Sequence, residues 1–218
     1  MPRPRSDIRL RILDAARERF AAAGVDATSL RSIASDASTS IGMVYYYFPS
    51  KDELFLAVIE DVYGRLLGDL EAALTGPHDF ASRALALFRR VAAATPLERQ
   101  VIRLVAREGF TSGQRREGVA RRFSRGHVPL IFQAVLAGVQ SGQLRSDVHP
   151  LVMMAATIAL GTLPQIAVRV LGKHLPSAAP EPEELTRQLA SVLMHGIAAQ
   201  RLPAKKKAAA QRSGRSSR

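Results

Sequence analysis

Apolar residues recur along this chain at helical spacing almost from end to end. Ile8, Ile12, Ala16 and Phe20 fall four apart, with Leu13 beside them, which predicts an amphipathic first helix stopped at Gly24. Leu30, Ile33, Ala34 and Ala37 share one face of a short second helix, and a third short helix is expected from about Ser40 to Tyr46. A longer helix should run from Lys51 to about Leu74, before the break "GPHD". Beyond it, "TP", "TSGQ", "SGQLRSDVHP" and "LPSAAPEP" separate helices expected over 79–94, 97–108, 116–141, 149–172 and 182–201. No Val/Ile/Thr-rich alternation persists long enough for a sheet. The pattern predicts an all-α fold of about nine helices. Three are crowded into the first fifty residues, and the longer ones that follow build a bundle.

Composition narrows the class. Hydrophobic residues make up 47% of the 218, enough to bury a core, and cysteine is absent. Disulfides and thiolate metal sites are therefore excluded, and a reducing cytosol fits. The basic start "MPRPRSDIRL" leads into no apolar stretch, so a cytoplasmic chain without a secretory signal is expected. "LVMMAATIALGTLPQIAV", residues 151–168, carries no charge. Thr157, Gly161, Thr162, Pro164 and Gln165 make it a poor membrane span, and a helix buried in protein is the expectation.

The formal charge is +12. Residues 1–51 hold 8 Lys/Arg against 5 Asp/Glu, 52–201 hold 17 against 14, and 202–218 hold 6 against none. Half the excess is thus in the tail. The low-complexity "PAKKKAAAQRSGRSSR" is a solvated, disordered end or a sequence-blind hold on DNA phosphates. The division expected is a head over 1–50, a helical body over 51–202 and a basic tail over 203–218.

"YYYFPSKDEL", residues 45–54, carries the chemistry. Ser50 followed by Glu53 is a capping box, and Pro49 forces a turn at Phe48. Lys51 then begins a new helix, where a cation opposes the macrodipole unless that helix start faces an anion. Tyr45 and Tyr47 can donate hydroxyls to phosphate oxygens; Phe48 suits a core, and Tyr46 is ambiguous. All four aromatics could equally pack. The two short helices just upstream, joined tightly around "ASTS", have the layout of a helix-turn-helix whose second helix enters a major groove. Gly42 in that helix costs about 1 kcal/mol against alanine, tolerable where the backbone must approach a surface.

At these positions the chain resembles the DNA-binding segment of the tetracycline-repressor (TetR) family. The resemblance covers residues 11–54 and rests on Ile12-Leu13, Ala15-Ala16, Phe20, Gly24, Thr28, Ile33-Ala34, Gly42, Tyr45, Phe48 and Lys51. It implies that Ser40 to Tyr46 is the recognition helix and that Thr28, Tyr45, Tyr47 and Lys51 contact phosphates. It places Arg31, Ser40, Ile41, Gly42 and Met43 nearest the bases. Two departures stand out. Ser38 and Thr39 occupy the turn where the family usually has glycine and valine, so a less stable head is expected if Ser38 has positive φ. Ile41 and Met43 are apolar at recognition positions, which suits thymine methyl groups.

The body carries no such motif. His78, His127, His149, His174 and His195 lie far apart without metal-ligand spacing, and no phosphate loop, nucleophile elbow or HExxH is present. No catalytic residue, metal ligand or cofactor is assigned, and an enzyme is not expected. The resemblance implies a domain for binding a small-molecule effector and for dimerisation. Independently, Leu151, Met154, Ala155, Ile158 and Thr162 form one apolar stripe, and Leu185, Leu189, Val192, Leu193 and Ile197 another. Pairing of these two C-terminal helices with their symmetry mates would give a homodimer. Residues 83–125 hold 11 Arg against 3 Asp/Glu, a solvated surface or a site for an anionic ligand such as an acyl-CoA. The function expected is a dimeric repressor released from a palindromic double-stranded DNA operator by a small-molecule inducer. The rival is a helical ligand-binding or adaptor protein that has lost DNA binding.

Overall fold

The computed structural model describes residues 5–76, 79–108, 113–174 and 179–198, and every regular element in them is helical. His78, the tail 203–218 and the last residues of the helix expected over 182–201 lie outside the described residues.

The head is built by its stop signals. α1 (Arg5–Ala23) ends because Gly24 leaves helical space at φ +94° while its N–H still reaches the Phe20 carbonyl at 2.9 Å. α2 (Leu30–Asp36) starts at Ser29, whose hydroxyl oxygen accepts the Ser32 N–H at 3.0 Å. It ends in a paired turn: Thr39 N–H reaches the Ala34 carbonyl at 2.9 Å and Ser38 N–H the Ser35 carbonyl at 3.0 Å. That is a Schellman closure, and Ser38 takes the left-handed position at φ +48° where glycine normally sits. α3 (Ile41–Tyr47) begins one residue later than expected, since Ser40 stands outside it as the cap on the Met43 N–H. α4 (Lys51–Thr75) is capped by Ser50, whose oxygen accepts the Glu53 N–H at 3.1 Å.

The body comprises α5 (Phe80–Ala92), α6 (Pro96–Glu108), α7 (Gly113–Phe123), α8 (His127–Gln140), α9 (Pro150–Leu171), a 3-10 turn over Gly172–His174, and α10 (Pro182–Ile197). The single helix expected over 116–141 is two, giving ten α-helices among the described residues rather than nine. The break is at Gly126, with φ −117° and ψ −124°. A Cβ there would lie 2.0 Å from the Tyr63 hydroxyl oxygen, so the chain must turn around that tyrosine with glycine.

α4 is the spine of the molecule. Its first half, with Leu54, Phe55 and Ile59, joins Ile12, Phe20, Ile33, Val44 and Phe48 in one core, to which α6 adds Leu104 and α7 adds Val119. Its second half, with Leu66, Leu70 and Leu74, joins a second core from α5, α8, α9 and α10. Packing therefore crosses the expected division at residue 50, and the head is seated on the body through a shared helix.

α9 buries an unexpected face. Met153, Thr157, Gly161 and Gln165 point into the body; Thr157 donates to the Met153 carbonyl at 2.8 Å and the Gln165 amide to that of Phe88 at 3.1 Å. By length and composition Pro150–Arg169 could cross a membrane, yet a single chain buries only 22% of the window. Val152 stays 58% exposed and Leu163 57%. α10 turns Leu189, Leu193 and Ile197 into the second core and leaves Val192 outside.

Candidate nucleic-acid interface

α3 has two faces with different jobs. Val44 is fully buried, and Ile41 and Tyr47 pack half-buried against the head core. The other face exposes Ser40, Gly42, Tyr45 and Tyr46, the last at 69%. A Cβ on Gly42 would meet nothing nearer than the Ser40 hydroxyl oxygen at 3.8 Å. The protein's own packing therefore does not require glycine there; the space above it is open. Arg31 is exposed on the neighbouring α2, and Met43 is half-exposed. The turn between the two helices is held from α1, where the Arg11 guanidinium donates to the Ala37 carbonyl at 2.8 Å. Phe48 anchors the far end in the core, with the Arg9 guanidinium 5.6 Å from its ring centroid.

The other expected site residues fall differently. Thr28 is 4% exposed, and its hydroxyl donates inward to the Gly24 carbonyl at 2.6 Å. That side chain bolts the α1–α2 turn and does not face outward. Ser29, which the sequence reading passed over, presents the exposed hydroxyl at the start of α2. The signal was available: Ser29 is followed by Ser32 at the third helical position, a hydroxyl pair 3.1 Å apart. Lys51 is half-buried, and its ammonium donates to the Asp26 carbonyl at 2.9 Å and the Thr28 carbonyl at 3.1 Å. It straps the start of α4 to the α1–α2 turn. Tyr46, ambiguous from sequence, is outside, its ring set edge-on to Tyr47 at 5.1 Å between centroids.

Beneath this surface lies an ionic junction. The Arg115 side chain on α7, 6% exposed, meets Glu108 of α6, Asp26 of the α1–α2 turn and, at 3.0 Å, Asp52 of α4. Glu108 also accepts the Val25 N–H at 3.2 Å, and the Arg107 guanidinium donates to the Phe20 carbonyl. One buried cation thus ties α7 to α6, to the α1–α2 turn of the head and to the start of α4.

Of the described histidines, His127, His149 and His195 have structural partners, and His174 is exposed at the end of the 3-10 turn. The Tyr63 hydroxyl is hydrogen-bonded to His127 Nδ1 at 2.7 Å and accepts the His127 backbone N–H at 3.2 Å; burial pushes the His127 pKa down to about 4, so the ring is neutral. His149 Nδ1 accepts the Leu151 N–H at the start of α9, and His195 Nδ1 lies 2.7 Å from the Ser191 carbonyl. Among the described residues no group of three or more His, Cys, Asp or Glu is placed to hold a metal ion.

Residues 12–58 match the family model for bacterial regulatory proteins, tetR family. Over 98 residues the chain is 36% identical to an HTH-type transcriptional repressor of Mycobacterium tuberculosis, a match covering 45% of this chain and 51% of that one. The chain thus spans about half the length of the first relatives it matches. Over 212 residues it is 26% identical to the HTH-type transcriptional repressor KstR2 of Rhodococcus jostii, covering 89% and 93%. Among solved structures, the transcriptional regulator FadR from Bacillus subtilis in complex with stearoyl-CoA aligns with TM-score 0.72 at 14% identity, covering 86% of this chain and 98% of that one. The last likeness is one of fold.

Proposed function

The chain belongs to the tetR family of bacterial regulatory proteins by its residues 12–58, and from that premise we propose that it is a dimeric, effector-responsive repressor of transcription. The observation that carries the reading is the open, glycine-bearing face of α3, flanked by exposed hydroxyls and Arg31. A helix that keeps a costly glycine where its own fold leaves room for a side chain is shaped for an outside surface. Ser29, Tyr45, Tyr46 and Lys51 would grip phosphates and set register. Arg31, Ser40, Gly42 and Met43 would lie nearest the bases and select sequence, Ile41 sharing that role with its place in the core.

Repression is supported by the names of the two relatives. An effector is supported by a FadR structure of like fold that holds stearoyl-CoA. Dimerisation is supported by the bare apolar side of α9, and two-fold symmetry supplies the pair of recognition helices a palindromic operator needs. Effector binding releases DNA only if the ligand prefers a state in which those helices are wrongly spaced.

Fluorescence anisotropy with duplex fragments from upstream of the protein's own gene tests the reading. Sequence-selective binding that weakens steeply with salt is expected. Absence of salt-sensitive binding to every fragment, with the protein folded and free of small molecules, rejects it.

A further inference from the structure

We propose that the cleft between α5, α6 and α9 binds an organic oxyanion, a carboxylate or phosphate head on an apolar body, through Arg99, Arg103 and Arg169. This deepens the effector part of the reading above and rests on it for the regulatory meaning alone.

Six of the eleven arginines of 83–125 meet acids: Arg107, Arg115 and Arg121 pair with Glu108 and Glu117 of the same stretch, Arg115 also with Asp26 and Asp52, and three others reach outside it, while Arg83, Arg116 and Arg125 form no ion pair among the described residues. Arg89 meets Glu183 at 2.5 Å, Arg90 meets Asp69 and Glu98, and Arg122 meets Glu60. Arg99 and Arg103 form no ion pair among the described residues, nor does Arg169, which joins them from α9. The three line one shallow cleft of about 40 Å³, together with Val91, Ile102 and Ile166. Residues 1–4, 77–78, 109–112, 175–178 and 199–218, which lie outside the described residues, contain no Asp or Glu.

Two of the guanidiniums have partial occupation. Arg169 donates to the carbonyl of Ala92, the last residue of α5, at 2.6 Å, and Arg99 to that of Ala94 in the loop that follows. A helix end offers about half an elementary charge against three full ones. Each guanidinium also carries five N–H donors, so most remain available. Arg103 is exposed and reaches no acceptor among the described residues. Burial, and then the charge of Arg99, push the Arg169 pKa down, the direction set by desolvation and unrelieved like charge. An anion here would remove that repulsion while making charge-assisted, bidentate bonds. The hydrocarbon wall gives no partner to a hydrated inorganic ion, which is why the ligand combines a charged head with an apolar body.

The site is also placed to matter. Arg99, Arg103 and Arg107 are spaced four apart along α6, and Arg107 holds the end of α1. A ligand drawing on the first two acts on the helix whose far end grips the head.

Isothermal titration of the full chain with octanoate, octyl phosphate and neutral octanol tests the cleft. At least one anion should bind, more weakly as salt rises, with octanol roughly tenfold weaker or worse. Binding of octanoate alone identifies a carboxylate ligand; binding of octyl phosphate alone identifies a phosphate ester. Arg103→Gln, at an exposed position, should leave the melting temperature unchanged and weaken the anion roughly tenfold, and Arg169→Gln should weaken it as much. Octanol binding as tightly as the anions, both variants binding like wild type, or no anion binding at millimolar concentration overturns the proposal. The titrations contain no DNA. A failed cleft with intact duplex binding leaves the regulator standing, and failed duplex binding with an intact cleft removes the regulator and keeps the anion site.

Discussion

Gly42 and Ser38 both hold residues that local energetics disfavour, for opposite reasons. Gly42 has room for a methyl group, so Gly42→Ala should raise stability by up to about 1 kcal/mol, read as a higher urea midpoint. If α3 lies against duplex, the same change weakens operator binding by roughly tenfold or more, and unchanged affinity would show that nothing approaches there. Ser38 is strained by its left-handed backbone, so Ser38→Gly should also stabilise by about 1 kcal/mol, with no change in sequence preference. Lys51 was read from sequence as a phosphate contact, and its ammonium also straps two carbonyls. Lys51→Ala should lower the salt slope of binding by about 1 across all sequences. A stability loss with an unchanged slope would make it a strut alone. Residue types at this scale were legible, since glycine, serine and lysine each stood out against their positions. Side-chain direction was not. Thr28 and Ser29 carry the same hydroxyl chemistry, and only the carbonyls left at the end of α1 decide which one turns inward.

Helices were legible where periodicity and punctuation agreed, which they did for α1 to α6. The reading failed at α7 and α8, because the apolar pattern runs on through "FSRGHVPL" and hides a turn. Gly126 and Pro129 marked it, Pro129 being tolerated only in a first helical turn. The reason for the turn is Tyr63, far off in sequence and invisible to a local pattern. The Arg115 junction is likewise non-local, drawing its carboxylates from three other segments. Its energetics follow from burial, since Glu108 has only 7% side-chain exposure. Arg115→Leu leaves that carboxylate with the Val25 N–H and the half-exposed Arg107 at 3.3 Å and should cost about 3 kcal/mol, whereas Arg115→Leu with Glu108→Leu should recover part of the loss. Urea denaturation of the two single variants and the double closes the cycle. Additive losses would mean that the ion pair does not couple α6 to α7.

At the scale of the whole molecule, two features link the single chain to its working form. His127 is held neutral: its pKa is near 6.5 when unfolded and about 4 when folded. Its contribution is therefore complete above pH 6.5 and falls by roughly 3 kcal/mol as the pH drops towards 4, since only the unfolded state takes up the proton. His127→Gln should flatten that part of the pH–stability curve, and an unaltered slope would move the acid sensitivity elsewhere. The proposed dimer would rest on the face of α9 that the body leaves bare, which overlaps the expected stripe at Leu151 and Ala155. Hydrophobicity alone put Leu151, Met154, Ala155, Ile158 and Thr162 on the important stripe. The body instead takes Met153, Thr157, Gly161 and Gln165, because backbone carbonyls satisfy the two polar side chains. What remains outside at helical spacing is Val152, Ala155, Leu163 and Ala167, a smooth apolar strip that one chain leaves in water. A second copy covering it by two-fold symmetry would bring α9 against α9. Val152→Glu with Leu163→Glu puts four carboxylates into that contact but changes only exposed positions of the monomer. Sedimentation should then report a folded monomer with unchanged helical content. Operator affinity should fall steeply, because a single head loses the gain from binding two linked half-sites. A variant that sediments as a dimer would move the interface off this strip, while a wild-type monomer that binds one half-site at full affinity would remove the dimer from the mechanism.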